Sequence, residues 1–461
     1  MLQRYIGDRH FYRRVLAVAL PIIIQNGITN FVSLLDNIMV GQVGTVQMNG
    51  VSIVNQLLFV FNLCIFGATS GAGIFTAQFF GSQNHEGVRH TFRFKVFVGA
   101  LLSALGIGVL LLFGRDLIQL YLNGEGAIED ARQSLAYGWE YLLIMLWGLP
   151  AFALSSAYCG TLRESNQTFV PMIAGVCAVL VNLVLNYILI FGHFGAPAMG
   201  IRGAAVATVI SRYVELAVVA FWTHLHSTQH PFITGAYRSF RIPRELLGHI
   251  IVKGMPLLIN EALWSVGMAF LNQCYSTRGL DVVAAQNISG ALYNLSSVVY
   301  LSMGNAVGII IGQMLGANLP VSEVRDTDRK LIATSVLSCL LFAMLTAACS
   351  GIFPQLYNTT DSVRSLATEL ICICAFMLPF NAYTNAAYFT LRSGGQTLVT
   401  FLFDSCFVWC FVVPLAFCLS RFTTIGIIPL YAICQATDFI KCAIGGFMIH
   451  RGSWIRNLAV E

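Results

Sequence analysis

The sequence predicts an all-α polytopic membrane protein, with twelve transmembrane helices in two pseudo-symmetric six-helix lobes. Three observations carry that expectation. Of 461 residues, 57% are hydrophobic and only 10% charged, against a charged share of roughly 25% in ordinary soluble domains. Apolar runs of about 20 residues recur along the whole length, such as Val96 to Phe113, Phe169 to Phe191 and Leu331 to Ala348, each able to cross a ~30 Å hydrocarbon core as a helix. Landmarks of the first half also return, in order, in the second.

The predicted spans begin near residues 13, 51, 94, 134, 168 and 202, then near 246, 285, 330, 363, 398 and 427. Arg4, Arg9, Arg13 and Arg14 precede the first, as in a signal peptide. The apolar stretch, however, continues past Pro21 to Met39 without a small-residue cleavage pattern, so it reads as a retained helix. Most of the thirteen cysteines, Cys64, Cys177 and Cys339 among them, sit inside apolar runs and read as small hydrophobes. Neither Cys372 with Cys374 nor Cys406 with Cys410 has zinc spacing.

Lys and Arg fall eighteen to six in favour of the ends and the even-numbered connections. That bias predicts that both termini face the cytoplasm of a bacterial inner membrane. It also accounts for the net charge of +5 without a nucleic-acid partner.

Thr161-Leu162-Arg163 to Gln167-Thr168 recurs about 230 residues later as Thr390-Leu391-Arg392 to Gln396-Thr397. Pro21 with Pro256, Gly44 with Gly279, Gly73-Ile74 with Gly308-Ile309, Gln78 with Gln313 and Pro150 with Pro379 follow at nearly the same offset. Six spans separate the copies, so the halves share one orientation, a plan of secondary transporters. The predicted division is residues 1–225, a polar cytoplasmic linker 226–245, and residues 246–461.

Ionisable residues inside a bilayer are costly, so each marks a functional hypothesis. Asp36 follows Pro21 on the first span. A proline interrupts the helical ladder, so Pro21 and its counterpart Pro256 are candidate hinges. Asn182 and Asn186, four apart on the fifth span, share a face. On the sixth, small residues precede Thr208, with Ala204 one turn earlier. If these faces converge, Asp36, Asn182, Asn186, Thr208 and a backbone carbonyl form an oxygen cage for a hard cation, sodium for instance, or for a proton on Asp36. The alternative is that the Asn and Thr side chains only join helices.

In the second half Glu261, beside Asn260 after Pro256, is the candidate cavity acid, with Trp264, Met303, Tyr383 and Phe380 as a lining for flat cations or as ordinary packing. Asp438, with Lys441 three residues on, reads as a helical ion pair. Asp404 has no partner in sequence.

These residues resemble the multidrug and toxic compound extrusion transporters, in a prokaryotic branch of the multidrug/oligosaccharidyl-lipid/polysaccharide flippase superfamily. The likeness rests on Asp36 in Asp-x-x-Met-Val-Gly fifteen residues after Pro21, the Leu-Arg-x-x-x-Gln-Thr element in each half, Asn182-x-x-x-Asn186 and Gly203-Ala-Ala-x-Ala-Thr208. It covers essentially the whole chain. The resemblance implies two six-helix lobes alternating between outward- and inward-open states, with antiport of amphipathic organic cations against protons or sodium. It implies a cation site at Asp36, Asn182, Asn186 and Thr208. Some members have Asp where this chain has Asn186, and the single carboxylate left here favours sodium. Glu261 corresponds to a second-half acid in a variant position.

No cofactor is expected beyond the coupling ion, and the expected partners are small organic cations and membrane lipids around a monomer. An exporter of a lipid-linked or other amphipathic metabolite is the alternative cargo reading. An enzyme is disfavoured, because no Gly-x-Ser-x-Gly, phosphate loop or intramembrane His cluster is present.

Overall fold

The computed structural model describes residues 5–122, 128–239, 241–357 and 359–460; Arg4 lies outside them. Among the described residues the chain is helical and contains no strand. The first half holds α1 (Arg9–Gly41), α2 (Thr45–Gly81), α3 (His85–Leu122), α4 (Ile128–Met145), α5 (Gly148–Glu164), α6 (Phe169–Phe191) and α7 (Ile201–Leu225). The second holds α8 (Arg244–Ser276), α9 (Leu280–Gly316), α10 (Val321–Cys349), α11 (Asp361–Ser393), α12 (Thr397–Phe401), α13 (Val413–Phe422), α14 (Ile427–Ala436) and α15 (Asp438–Arg451). Two π-helical turns, Leu402–Cys406 and Val408–Val412, join α12 to α13.

Nine of these helices are each long and apolar enough to cross a bilayer, as are the composite stretches Thr397–Phe422 (α12 to α13) and Ile427–Arg451 (α14 with α15), and α4 with α5, bent by 48°, makes up the twelfth span. The bend is a sequence effect: Gly148 and Pro150 open α5, where a proline tolerates the first turn but not a continuing one. Its repeat partner Pro379 lies inside the unbroken α11.

The repeat is written into the backbone. Gly44 and Gly279 have φ of 152° and 121°, Gln83 and Asn318 of 58° and 53°, and Asn166 and Gly395 of 63° and 74°. Each pair ends equivalent helices. α1 and α8 are both 33 residues long, α2 and α9 both 37.

Contacts divide the chain into two compact units. One comprises residues 24–76 and 84–254, the other 1–23, 77–83 and 255–461. This differs from a division at residues 225 and 246 because three helices are shared between units. The boundary crosses α1 two residues after Pro21 and α8 two residues before Pro256, and it crosses α2 between residues 76 and 77. Each proline removes one backbone hydrogen bond and weakens its helix there.

Residues 226–239 belong to the first unit rather than forming a free linker. Arg89 and Arg93 of α3 donate to the carbonyls of Pro231, Phe232, Gly235 and Ala236 at 2.8–3.3 Å. Tyr158 meets Tyr237 at 2.6 Å and His224 at 3.2 Å. Lys95 is buried in α3 and pairs with Glu164.

Candidate cation site

The site in the first unit is set by close helix approach. A Cβ at Gly203 would stand 2.6 Å from the Leu189 carbonyl, so only glycine lets α7 lie this tightly on α6. Gly175 leaves room for the Gln25 side chain, whose Oε1 accepts from Arg163 Nη2 at 2.6 Å. That bond ties the first copy of the repeated Leu-Arg element to α1. α6 closes on Gly192 in the left-handed region, its N–H donating to Ile188 O.

With the helices so placed, the predicted residues converge. Asn186 Nδ2 donates to Asp36 Oδ1 at 2.7 Å and to Asn182 Oδ1 at 3.2 Å. Thr208 Oγ1 donates to the Ala204 carbonyl at 3.0 Å and accepts from Asn182 Nδ2 at 3.2 Å. Asn186 is 1% exposed, and its own Oδ1 is buried with no hydrogen-bond partner. No basic side chain pairs with Asp36 among the described residues.

The Asn182 amide is the informative group. In this orientation its oxygen faces Asp36 Oδ2 at 2.9 Å and Oδ1 at 3.1 Å. Two oxygens that close need a proton or a cation between them. With the amide oxygen and nitrogen exchanged, Nδ2 donates to the carboxylate instead, and the oxygen accepts from Thr208 Oγ1 at 3.2 Å. The exchanged orientation satisfies its partners and suits a bare carboxylate, whereas the first sets oxygen against oxygen and needs a bound proton or cation between them. The donor set is one carboxylate, two amide oxygens, a hydroxyl and a carbonyl, all hard oxygens. No group of three or more His, Cys, Asp or Glu gathers as a metal site among the described residues.

The second-half candidates are not brought together in the same way. Asn260 is buried and its amide makes three bonds: Nδ2 donates to Asp404 Oδ2 at 3.1 Å, and Oδ1 accepts from Ser405 N at 3.2 Å and Ser405 Oγ at 2.7 Å. The π-turn explains this bond, because the widened ladder presents Ser405 N–H to a side-chain acceptor. Met303 is buried as well, whereas Glu261, Trp264 and Tyr383 keep exposed surface.

The expected Asp438–Lys441 pair is corrected. Lys441 Nζ bonds Asp404 Oδ1 at 2.9 Å and lies over the rings of Phe403 and Phe407 at 5.5 and 5.8 Å. Spacing along α15 could not reveal a partner 37 residues earlier. A cavity of about 670 Å³ in the second unit is lined by Asp8, Arg14, Glu323, Asp326 and Lys330 among others, and by none of the five proposed cavity residues.

Two buried groups escaped the sequence reading. Lys95 donates to Thr161 Oγ1 at 3.3 Å besides pairing with Glu164. At the matching place in the second repeat, Thr390 Oγ1 donates to Asp328 Oδ1 at 2.6 Å. The signal was available, since each threonine opens the repeated element.

The profile of the MatE family matches residues 21–188 and 256–418, one stretch in each half and most of the chain. The chain belongs to the MatE family. It is 25% identical to the probable multidrug resistance protein NorM of Thermotoga maritima, over 96% of this chain and 93% of that protein. It is 27% identical to NorM of Shewanella oneidensis over 94% and 89%, and 25% identical to MdtK of Edwardsiella ictaluri over 88% and 87%. Its fold is that of an outward-facing multidrug resistance MATE transporter of the MOP superfamily, with a TM-score of 0.84 at 19% identity and 98% of both chains covered. A Vibrio cholerae MATE transporter, VcmN, superposes at 0.83 with 20% identity over 98% of this chain and 99% of that one. As a MatE protein it is a multi-pass membrane protein of a transporter family.

Proposed function

We propose that this MatE chain is a secondary antiporter that exports organic cations or drugs in exchange for H+ or Na+ by alternating access. The observation that supports it best is the Asp36 cage. A carboxylate within a membrane-crossing helix meets the amides of Asn182 and Asn186, 2.9 and 2.7 Å away, with the Thr208 hydroxyl 3.2 Å from the Asn182 amide. Such a site can take up one proton or one small cation.

The mechanism follows from linkage. Drug and coupling ion must compete, or favour different states, so that release of one carries the other. When an ion arrives at Asp36, Asn182 turns its oxygen inward. When it leaves, the amide turns and donates to the carboxylate. Residue 36 lies beyond Pro21 on α1, so a change at the carboxylate is transmitted to a helix that crosses between units at its proline. Pro256 gives α8 the same property. Glu261, Trp264 and Tyr383 are the cargo-facing candidates in the second unit, and Asn260 and Met303 are buried. The protein acts as a monomer in the bacterial inner membrane with both ends cytoplasmic, consistent with the distribution of Lys and Arg.

The test is transport by purified protein in liposomes, following ethidium or norfloxacin under a sodium gradient at fixed pH and then under a pH gradient without sodium. Transport under one gradient names the coupling ion. Absence of transport under both refutes cation antiport and favours export of a lipid-linked amphiphile.

A further inference from the structure

The end of α2 is held in an unusual way. Although residues 45–76 of this helix belong to the first unit, residues 77–83 belong to the second. Their contacts there show the repeat symmetry: a Cβ at Gly81 would stand 2.0 Å from the Gln313 carbonyl, and one at Gly316 would stand 1.9 Å from the Gln78 carbonyl. Gly81 and Gly316, like Gln78 and Gln313, are 235 positions apart. The ends of α2 and α9 therefore cross on a local two-fold, backbone against backbone, with Ala77 against Gly312.

What breaks the symmetry is the segment after α15. Gln78 is fully buried; its Nε2 donates to the carbonyls of Ser393 at 2.8 Å and Arg456 at 3.2 Å, and its Oε1 accepts from Leu458 N at 2.6 Å. Asn457 Nδ2 reaches the Gly316 carbonyl at 3.4 Å. The segment is itself fixed by the fully buried Trp454, whose carbonyl presses on Gly394, and by Gln396 Nε2 donating to Ser453 O at 2.7 Å. One glutamine from α2 is thus the hub of a small polar knot made by three separate stretches of chain.

We propose that residues 453–458 and Gln78 form a releasable clasp, which holds the end of α2 on α9. α1 and α8 cross between the units next to prolines, where they can bend. α2 has no proline, and its end, residues 77–83, is grouped with residues 255–461 and not with the body of the helix. The Gln78 bonds are what must break for the clasp to open. The polar groups exposed by opening are all ones that water can satisfy, so release is reversible.

The proposal rests on the antiporter reading only in calling this piece mobile, and its test needs no transport. Hydrogen exchange is measured on peptides covering 77–83 and 453–458 in the wild type, in Gln78→Met, which keeps the volume and removes the bonds, and in a chain stopped after Gly452. Unchanged protection of α6 around Asn182 and Asn186 serves as the folding control. Expected is a roughly 10- to 100-fold faster exchange of both peptides together in Gln78→Met, and of 77–83 in the shortened chain. If 77–83 keeps wild-type protection in both variants, the segment is a passive appendage and the clasp is wrong. If the variants behave as expected but the wild type moves no organic cation, the clasp stands and the antiporter reading falls.

Discussion

Asp36→Asn is the sharpest perturbation of the cation site. The introduced amide has the shape of the carboxyl, and the surroundings fit it. Its oxygen takes over the bond from Asn186 Nδ2 at 2.7 Å, and its nitrogen faces the Asn182 oxygen at 2.9 Å, a distance suited to an N–H donor. What is lost is charge: one charge-assisted bond becomes neutral, which changes stability by about 1 kcal/mol. The thermal midpoint in detergent is therefore expected to shift by a few degrees at most.

Transport changes far more, because the substituted site can neither protonate nor attract a cation. Exchange of one coupling ion for one monovalent cargo cation moves no net charge, so the ion's concentration gradient drives it: a tenfold gradient supplies ~1.4 kcal/mol, or roughly tenfold accumulation of cargo. In Asp36→Asn that ratio falls to unity. Ethidium accumulation in liposomes under imposed potential and ion gradient, normalised to reconstituted protein, measures it. Wild-type accumulation in the variant would show that Asp36 does not couple, and the cage would then be a set of interhelical hydrogen bonds.

Further outcomes follow from the same geometry. Asn186→Asp places a second carboxylate against Asp36, and two such groups cannot both ionise at contact; coupling is expected to move from sodium towards protons, seen as accumulation that tracks ΔpH without sodium. Lys441→Met strands Asp404 in a mostly buried place and is expected to lower stability by about 3–5 kcal/mol. The double variant with Asp404→Leu should recover most of it, and thermal unfolding distinguishes them. His230, in the segment 226–239, has a pKa held below its ordinary value by burial, with His226 adding repulsion. Its folded form therefore resists protonation, the unfolded form binds more protons below about pH 6.5, and stability falls as pH drops through that value. Limited proteolysis of 226–239 is expected to speed up between pH 7 and 5 in the wild type, and to lose that dependence in His230→Phe.

Much of this was legible in the sequence because the signals are periodic or repeated. A bilayer requires about twenty apolar residues per crossing, so the spans could be counted, although the α4–α5 bend at Gly148 and Pro150 could not be told from the unbroken α11 at Pro379. The repeat, read from pairs such as Gly44 with Gly279, returns in the backbone, where Gln83 and Asn318 share a positive φ. Asp36, Asn182, Asn186 and Thr208 were identifiable one by one, since a polar residue in an apolar helix stands out against its surroundings. That all four meet depends on Gly203 and Gly175 letting α7 and α1 approach α6, and interhelical distance leaves no periodic trace.

The charged residues show the same divide. Lys441 and Asp438 are three apart on one helix, which by itself suggested a pair, yet Lys441 bonds Asp404 across 37 residues of chain. Gln78 was visible as half of a repeat pair, but its three hydrogen bonds reach Ser393, Arg456 and Leu458. The sequence alone determined which residues are costly to bury and about how many helices cross, although its starts near 94 and 330 fall nine residues inside helices that open at His85 and Val321. Only the tertiary structure decided which of them share a site, because a hydrogen bond acts over about 3 Å in space and takes no account of separation along the chain.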